Sequence, residues 1–134
     1  MKSIMTVTLN CDVKTVWDVV TDNINTSWRS DLKETKVLSD KDFQEIDKEG
    51  IVTTFHITKQ EPYDCYEFDL ENDNMKGHWT GRFSILSDQQ VEFELTEEVT
   101  MKKGWLKVFV TITSYLKRMQ KHYISDLKKK IEEK

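Results

Sequence analysis

The sequence predicts an α+β fold in which a curved, seven-stranded antiparallel sheet wraps around a long C-terminal helix, with two short helices between the first and second strands. Two features of the chain point to this fold. Residues 104–134 keep an apolar face at helical spacing, whereas most of the preceding chain alternates apolar and polar residues with the period of a β-strand. A helix of this length would extend for roughly 40 Å. So long an apolar face needs an equally long partner, and we expect that partner to be the sheet.

Each earlier element is predicted from a local pattern. Residues 4–9 alternate as the first strand, and Asp12 is placed to cap a short helix that ends near residues 22–23. The isolated Trp28 marks a second small helix in residues 27–31. Short turns then separate six more strands, which favours antiparallel neighbours. These strands are predicted at residues 35–38, 43–47, 51–59, 65–71, 75–86 and 90–100.

The terminal helix carries its apolar residues on one side and most of its charges on the other. Its apolar face comprises Trp105, Val108, Phe109, Ile112, Tyr115, Leu116, Met119, Tyr123 and Leu127. Lysine and arginine concentrate in its second half, where cations offset the helix dipole. Weak attraction to an anionic membrane surface is the alternative explanation for these basic residues.

Length and composition indicate one domain, residues 1–134, with a single core. The formal net charge is −4 and the pI is near 5.4, so the broad basic surface of a nucleic-acid-binding protein is missing. No stretch has the pattern of a signal peptide or of a membrane span, and we therefore expect a cytoplasmic protein without stable membrane insertion. The two cysteines cannot form a disulfide framework.

Strand parity places an aromatic band on the inner face of the predicted sheet. Pairing across the turns brings Phe55 near Phe68, Phe68 near Trp79, and Trp79 near Glu97. Gly77 and Gly81 share this face, where they would leave space and let the sheet bend. The pattern favours a hollow between sheet and helix. A solid aromatic core is the alternative.

The sequence also resembles a known superfamily in four segments. Residues 13–22 (VKTVWDVVTD) resemble the first-helix signature of the polyketide cyclase/dehydrase-like branch of the START-like, or SRPBCC, superfamily, and residues 28–32 (WRSDL) resemble the segment that follows it. Residues 75–79 (MKGHW) and 123–129 (YISDLKK) are similar to later stretches of small bacterial members. Asp12 departs from the proline that many relatives carry at the first helical turn, but it can cap the helix with its side chain.

The resemblance spans the whole chain and implies the helix-grip fold, in which a sheet grips the terminal helix around an apolar cavity. Across the superfamily this cavity serves lipids, sterols, polyketides and plant hormones, and occasionally catalysis or protein contacts. For this chain we predict ligand-binding residues from the inner-face parity and the helix face. They are Trp28, Phe55, Tyr66, Phe68, Trp79, Phe83, Phe93, Glu97, Ile112, Tyr115 and Met119.

Glu97 is the one polar residue that parity sends inward among apolar neighbours. A carboxylate buried there should have a raised pKa unless a partner compensates. It would then bind a ligand hydroxyl or act as a general acid or base. The alternative is that Glu97 lies near the strand end, hydrated or hydrogen-bonded to Trp28 or Arg29, and closes the mouth of the cavity.

The sequence contains none of the common catalytic, nucleotide-binding or metal-binding motifs, so we predict no cofactor, no metal and no assigned catalytic residue. His56 and His78 have outward parity, with Glu67 and Asp69 between them. Solvated cross-strand pairs are the preferred interpretation of this patch, and a surface metal site is the alternative.

Three functions remain open from the sequence. The preferred one is a non-enzymatic binding protein for an apolar or amphipathic small molecule, lipid-like or polyketide-like. The second is an enzyme of the cyclase/dehydrase type that acts on such a molecule, with Glu97 and a tyrosine as acid and base. The third is a protein-interaction module like the superfamily's heat-shock-protein ATPase activators. The sequence leaves the ligand and the oligomeric state open.

Overall fold

The computed structural model describes residues 1–102 and 108–132, and the side chains of residues 108–113 are not described. Seven strands and two helices make up this part of the chain. They are β1 (Lys2–Leu9), α1 (Val13–Thr21), β2 (Leu32–Val37), β3 (Asp42–Asp47), β4 (Val52–Glu61), β5 (Cys65–Glu71), β6 (Met75–Ser87), β7 (Gln90–Met101) and α2 (Val108–Glu132). Each of the seven predicted strands is present, with ends that differ by up to three residues. The predicted terminal helix also includes residues 104–107 and 133–134, which lie outside the described residues.

The strands form one antiparallel sheet in the order β1-β7-β6-β5-β4-β3-β2. Strands β2 to β7 follow one another as hairpins because short turns join them. Only β1 is out of sequence, and it closes the far edge beside β7. Helix α2 packs on the inner face of this sheet, where Leu127 and Ile131 join the main core. The predicted fold class, a curved sheet around a long C-terminal helix, is confirmed.

Helix α1 forms where the sequence predicts it. The Asp12 carboxylate caps it by accepting a hydrogen bond from the backbone N–H of Thr15 at 2.9 Å. Val16, Trp17 and Val20 are buried on one face, at the spacing that one side of a helix requires. This face covers one end of the inner surface of the sheet.

The second short helix, predicted around Trp28, is absent from the structure. Residues 22–31 instead form a chain of turns. The Asp22 carboxylate accepts hydrogen bonds from the backbone N–H groups of Ile24 and Asn25, both at 3.0 Å, and polar side chains that bond the backbone in this way compete with helix formation. At the end of this segment, the backbone N–H and the hydroxyl of Ser30 donate hydrogen bonds to the Asp126 carboxylate of helix α2. Tertiary contacts therefore decide the path of this segment.

Strand register largely matches the predicted pairing. Phe68 lies opposite Trp79, and Trp79 lies opposite Glu97, as expected. Phe55 lies opposite Leu70 rather than Phe68, a shift of two residues that keeps the same face inward. The rings of Phe55 and Phe68 still meet edge to face, with centroids 5.1 Å apart. The inner-face aromatic band is therefore continuous across β4, β5 and β6.

The two inner-face glycines are needed for close packing, which differs from the space-giving role predicted for them. A Cβ at Gly81 would lie 2.7 Å from the ring of Trp79, so the missing side chain makes room for that indole. A Cβ at Gly77 would lie 2.5 Å from the backbone oxygen of Glu98, where the neighbouring strand cannot yield easily. The space beside each glycine is therefore occupied by a neighbouring group of the protein, the Trp79 ring at Gly81 and the backbone of β7 at Gly77.

Two buried polar contacts attach helix α2 to the rest of the fold. The Gln120 side chain accepts a hydrogen bond from the Ser3 hydroxyl at 2.8 Å and donates one to the Ser3 carbonyl at 2.9 Å. The Asp126 carboxylate accepts hydrogen bonds from the backbone N–H and the hydroxyl of Ser30, both at 2.8 Å. These contacts fix the helix against β1 on one side and against residues 22–31 on the other. Within the described residues, no helix combines the length and apolar character needed to cross a bilayer.

The Ser3 and Gln120 contact predicts a measurable cost when one partner is removed. Gln120→Met keeps the volume but removes the acceptor of the buried Ser3 hydroxyl, and we expect the free energy of unfolding to fall by about 1–3 kcal/mol. The exposed Lys121 offers a matched control on the same helix. Lys121→Met should change the stability by less than about 0.5 kcal/mol. Urea unfolding followed by circular dichroism measures both, and equal midpoints and slopes for the two variants would contradict the prediction.

Candidate functional site

A partly enclosed cavity of about 160 Å³ lies between the inner face of the sheet, the turns of residues 22–31 and helix α2. Strands β3 to β7 form its floor, and the middle of α2 forms its roof. An engineered apolar cavity of about 150 Å³ in another protein holds a benzene molecule. This cavity therefore has room for one ring or a short chain.

Most of the residues predicted to bind a ligand line this cavity. Eight of them do so: Trp28, Phe55, Tyr66, Phe68, Trp79, Glu97, Tyr115 and Met119. The Phe68 and Trp79 rings stack with centroids 4.8 Å apart, and the Tyr123 ring meets Trp79 edge to face at 6.1 Å. The wall is thus largely aromatic and rigidly packed. That these residues bind a ligand stays a prediction.

Three other predicted site residues are placed differently or lie outside the description. Phe83 and Phe93 do not line the cavity; their rings stack with centroids 4.7 Å apart, and Phe83 also contacts Trp17 at 5.3 Å. They fill the core beneath helix α1. Parity places them on the inner face correctly, but helix α1 covers that end of the sheet. Ile112 belongs to α2, but its side chain lies outside the described residues.

A compact ion-pair cluster forms one wall of the cavity. Arg29 donates two hydrogen bonds to the Asp31 carboxylate, both at 3.0 Å, and a third to Glu45 at 3.3 Å. Its guanidinium also lies over the Tyr123 ring, 5.0 Å from the centroid. Burial works against the positive charge of Arg29, but the carboxylates of Glu45 and Asp31 outweigh it and raise the Arg29 pKa. Burial likewise raises the pKa of Glu45, which Arg29 opposes.

Glu97 lines the same cavity from strand β7, but Arg29 makes no hydrogen bond to it. Its carboxylate makes no hydrogen bond to any described residue. Burial, with a smaller contribution from the charge of Glu45, raises its pKa from 4.5 to about 7, and Arg29 only partly opposes this rise. Glu97 is therefore a group that can be either protonated or ionised near neutral pH.

A second polar group of the cavity wall also lacks a partner. The indole Nε1–H of Trp28 is buried and donates no hydrogen bond within the described residues. Buried donors in proteins are almost always satisfied, so an unpaired one calls for an explanation. The Tyr66 hydroxyl, in contrast, accepts a hydrogen bond from the Asn23 side chain at 3.1 Å.

Sequence reasoning missed the acidic residues of β3 that belong to the site. Glu45 and Asp47 line the cavity beside Phe43, with the same alternation that pointed to Glu97. Phe43 lies opposite Phe55 in the sheet and stacks on it with centroids 4.8 Å apart. The parity of Phe43 would have identified Glu45 as inward-facing.

The two histidines lie on the outer face of the sheet, away from the cavity. His78 bridges two carboxylates, with Nε2 2.7 Å from Glu67 and Nδ1 2.7 Å from Asp69. His56 bonds Asp42 at 2.7 Å. Burial opposes the charge of His78, but the two carboxylates outweigh it and raise its pKa. No group of three or more metal-ligating side chains is found within residues 1–102 and 108–132.

The raised pKa of Glu97 predicts how stability depends on pH. Between 4.5 and about 7 the folded protein retains a proton that the unfolded chain releases, so the free energy of unfolding falls as the pH rises through this window. Glu97→Gln removes this effect. At about 1.4 kcal/mol for each pKa unit, we expect the variant to be up to roughly 3 kcal/mol more stable than the wild type at pH 8.

The two proteins should have nearly equal stability at pH 4, where Glu97 is protonated in both the folded and unfolded states. Glu98→Gln removes the same charge from an exposed neighbouring position and serves as the control. Chemical unfolding at several pH values tests the prediction. A Glu97→Gln variant that is less stable than the wild type at pH 8 would contradict it.

Comparison with known proteins identifies the fold. The sequence matches no protein-family model and no curated protein. Its structure is similar to that of a START superfamily protein from Mycobacterium smegmatis, with a TM-score of 0.88 and 12% identity over 98% of this chain and 97% of the other. It is also similar to a conserved protein from Geobacillus kaustophilus, with a TM-score of 0.83 and 12% identity over 98% and 95% of the two chains.

A third similar structure is the Zhui aromatase/cyclase from Streptomyces sp. R1128, with a TM-score of 0.83 and 11% identity over 98% of this chain and 93% of the other. Identities this low carry the fold but not the function. Each of these three matches spans almost the whole of both chains. The order of strands and helices is also the one that the sequence resemblance implies. This chain has the helix-grip fold of the START-like superfamily.

Proposed function

We propose that this protein binds a small apolar or amphipathic molecule in the cavity between the sheet and helix α2. The supporting observation is a partly enclosed aromatic cavity whose wall holds the buried Trp28 indole N–H, which has no partner among the described residues, and the Glu97 carboxylate, to which no described residue donates. A folded protein loses stability by leaving such groups without partners. A bound molecule that supplies the partners would offset this cost.

The size of the cavity limits the part of the ligand that it holds. Pockets that enclose drug-sized molecules have volumes of about 300–1,000 Å³, so a cavity of about 160 Å³ suits one ring or a short chain. A longer lipid-like or polyketide-like molecule would extend through the open side of the cavity. The polar groups lie in the wall, which suits an amphipathic ligand better than a pure hydrocarbon.

Catalysis on such a molecule is the second candidate function, and one observation favours it. Glu97 has a pKa of about 7, which is suited to a general acid or base at neutral pH. One similar structure belongs to an aromatase/cyclase. A ligand that the wild type converts to product, and that Glu97→Gln binds without converting, would favour the enzyme over the binding protein.

The most direct experiment is mass spectrometry of small molecules extracted from the purified protein. A variant with a filled cavity provides the control, because a ligand of the cavity should be depleted in it. Thr53→Phe places a ring into the cavity from β4. A molecule that copurifies equally with both proteins is not a ligand of this cavity.

Tryptophan emission should report binding, because Trp28 and Trp79 both line the cavity. We expect 2-phenylethanol, a probe with one ring, to change the emission excited at 295 nm, a wavelength that the probe does not absorb. The double variant Trp28→Phe/Trp79→Phe should lose most of this change. Trp17→Phe is the matched control, since Trp17 is buried beside Phe83 and outside the cavity. A change that persists in the double variant and disappears in the control would contradict the proposed site.

A further inference from the structure

The described wall of the cavity is strongly acidic. It contains one basic side chain, Arg29, and no lysine or histidine. Five carboxylates accompany it: Asp22, Asp31, Glu45, Asp47 and Glu97. This excess of negative charge surrounds a space that is otherwise apolar.

Four of the five carboxylates already have partners. Asp31 and Glu45 are bonded to Arg29. Asp22 accepts hydrogen bonds from two backbone N–H groups at 3.0 Å, and Asp47 accepts two at 2.9 Å. Glu97 differs from them because no described residue donates to it, although it is largely enclosed by the cavity wall. The charge of Arg29 opposes the rise in the Glu97 pKa only in part, and the hydrogen bonds that Arg29 makes go to the other two carboxylates.

The aromatic wall adds a second feature that favours a cation. Ring faces carry partial negative charge and attract ammonium and guanidinium groups. Arg29 already uses this attraction, lying 5.0 Å from the Tyr123 ring centroid and 5.8 Å from that of Trp28. The stacked pair of Phe68 and Trp79 forms the adjoining wall. A positively charged group that enters the cavity would meet aromatic rings as well as Glu97.

We propose that the cavity selects small organic amines, and that the ammonium group of the ligand pairs with the Glu97 carboxylate while its apolar part packs on the aromatic wall. This inference rests on the proposed function and names its ligand class. An ammonium group supplies the hydrogen-bond donors and the charge that Glu97 lacks. A ligand carboxylate would meet Glu97 and Glu45 as like charges, so short fatty acids and aryl acetates should be excluded.

Three probes of matched size test the charge preference: 2-phenylethylamine, 2-phenylethanol and phenylacetate, which are cationic, neutral and anionic at pH 8. Isothermal titration calorimetry measures their affinities for the full chain. We expect the amine to bind at least tenfold more tightly than the alcohol, and phenylacetate to bind more weakly than both. The same ring in all three probes separates charge from apolar contact.

Two variants assign the preference to one residue. Glu97→Gln should abolish the advantage of the amine over the alcohol, so that the ratio of the two affinities falls to within about threefold of one. Glu98→Gln removes an equal charge from the outer face of the same strand and should keep the advantage. Circular dichroism confirms that each variant is folded.

The outcomes separate the two proposals. If the alcohol binds and the amine binds no better, or if Glu97→Gln keeps the preference, the amine inference is wrong while the binding function stands. If none of the three probes binds, both proposals are wrong for ligands of this size, and the cavity is a structural gap.

Discussion

The contact on which the site depends is the bonding of one arginine to two carboxylates at the edge of the cavity. Arg29 bonds Asp31 within its own turn segment and Glu45 on strand β3, and its guanidinium lies over the Tyr123 ring of helix α2. A two-bond pairing of this kind fixes orientation as well as distance. It thereby holds the turns of residues 22–31 against both the sheet and the helix, and these three parts enclose the cavity.

The same contact decides the electrostatics of the cavity. Arg29 makes its hydrogen bonds to Asp31 and Glu45, and no described residue donates to Glu97. Burial, with a smaller contribution from the charge of Glu45, raises the Glu97 pKa, and Arg29 opposes this rise only in part. A site built only for stability would pair this carboxylate or replace it with an apolar residue. A carboxylate and a buried indole N–H that line one cavity, both without a hydrogen-bond partner among the described residues, are instead typical of a place where a ligand completes the bonding.

Fold and function are separate questions in this protein. The helix-grip architecture is shared with proteins at 11–12% identity, among them an aromatase/cyclase, so the architecture alone cannot identify the ligand. The feature of this chain that bears on its ligand is the cavity. Trp79 fills the room that Gly81 leaves, which keeps the cavity small, and the described wall holds five carboxylates and one arginine. The volume of the cavity and the charge of its wall therefore restrict the class of ligand that we propose more than the fold does.

Local sequence patterns were sufficient for the fold. Alternation with period two marked all seven strands, helical spacing marked α2, and Asp12 marked the start of α1, because these signals depend on neighbours a few residues away. The same parity placed Trp79 and Glu97 on the inner face. The helix predicted around Trp28 was wrong, since bonds to distant residues such as Asp126 determine that segment.

The composition of the site was decided by the tertiary structure. Parity tells which face of the sheet a residue occupies but not which helix covers it, so Phe83 and Phe93 packed under α1 instead of lining the cavity. Likewise, an inward carboxylate is visible in the sequence, whereas its burial, which raises its pKa, depends on how helix α2 and residues 22–31 pack over the sheet. That packing brings together residues far apart in the chain, and no local pattern records it.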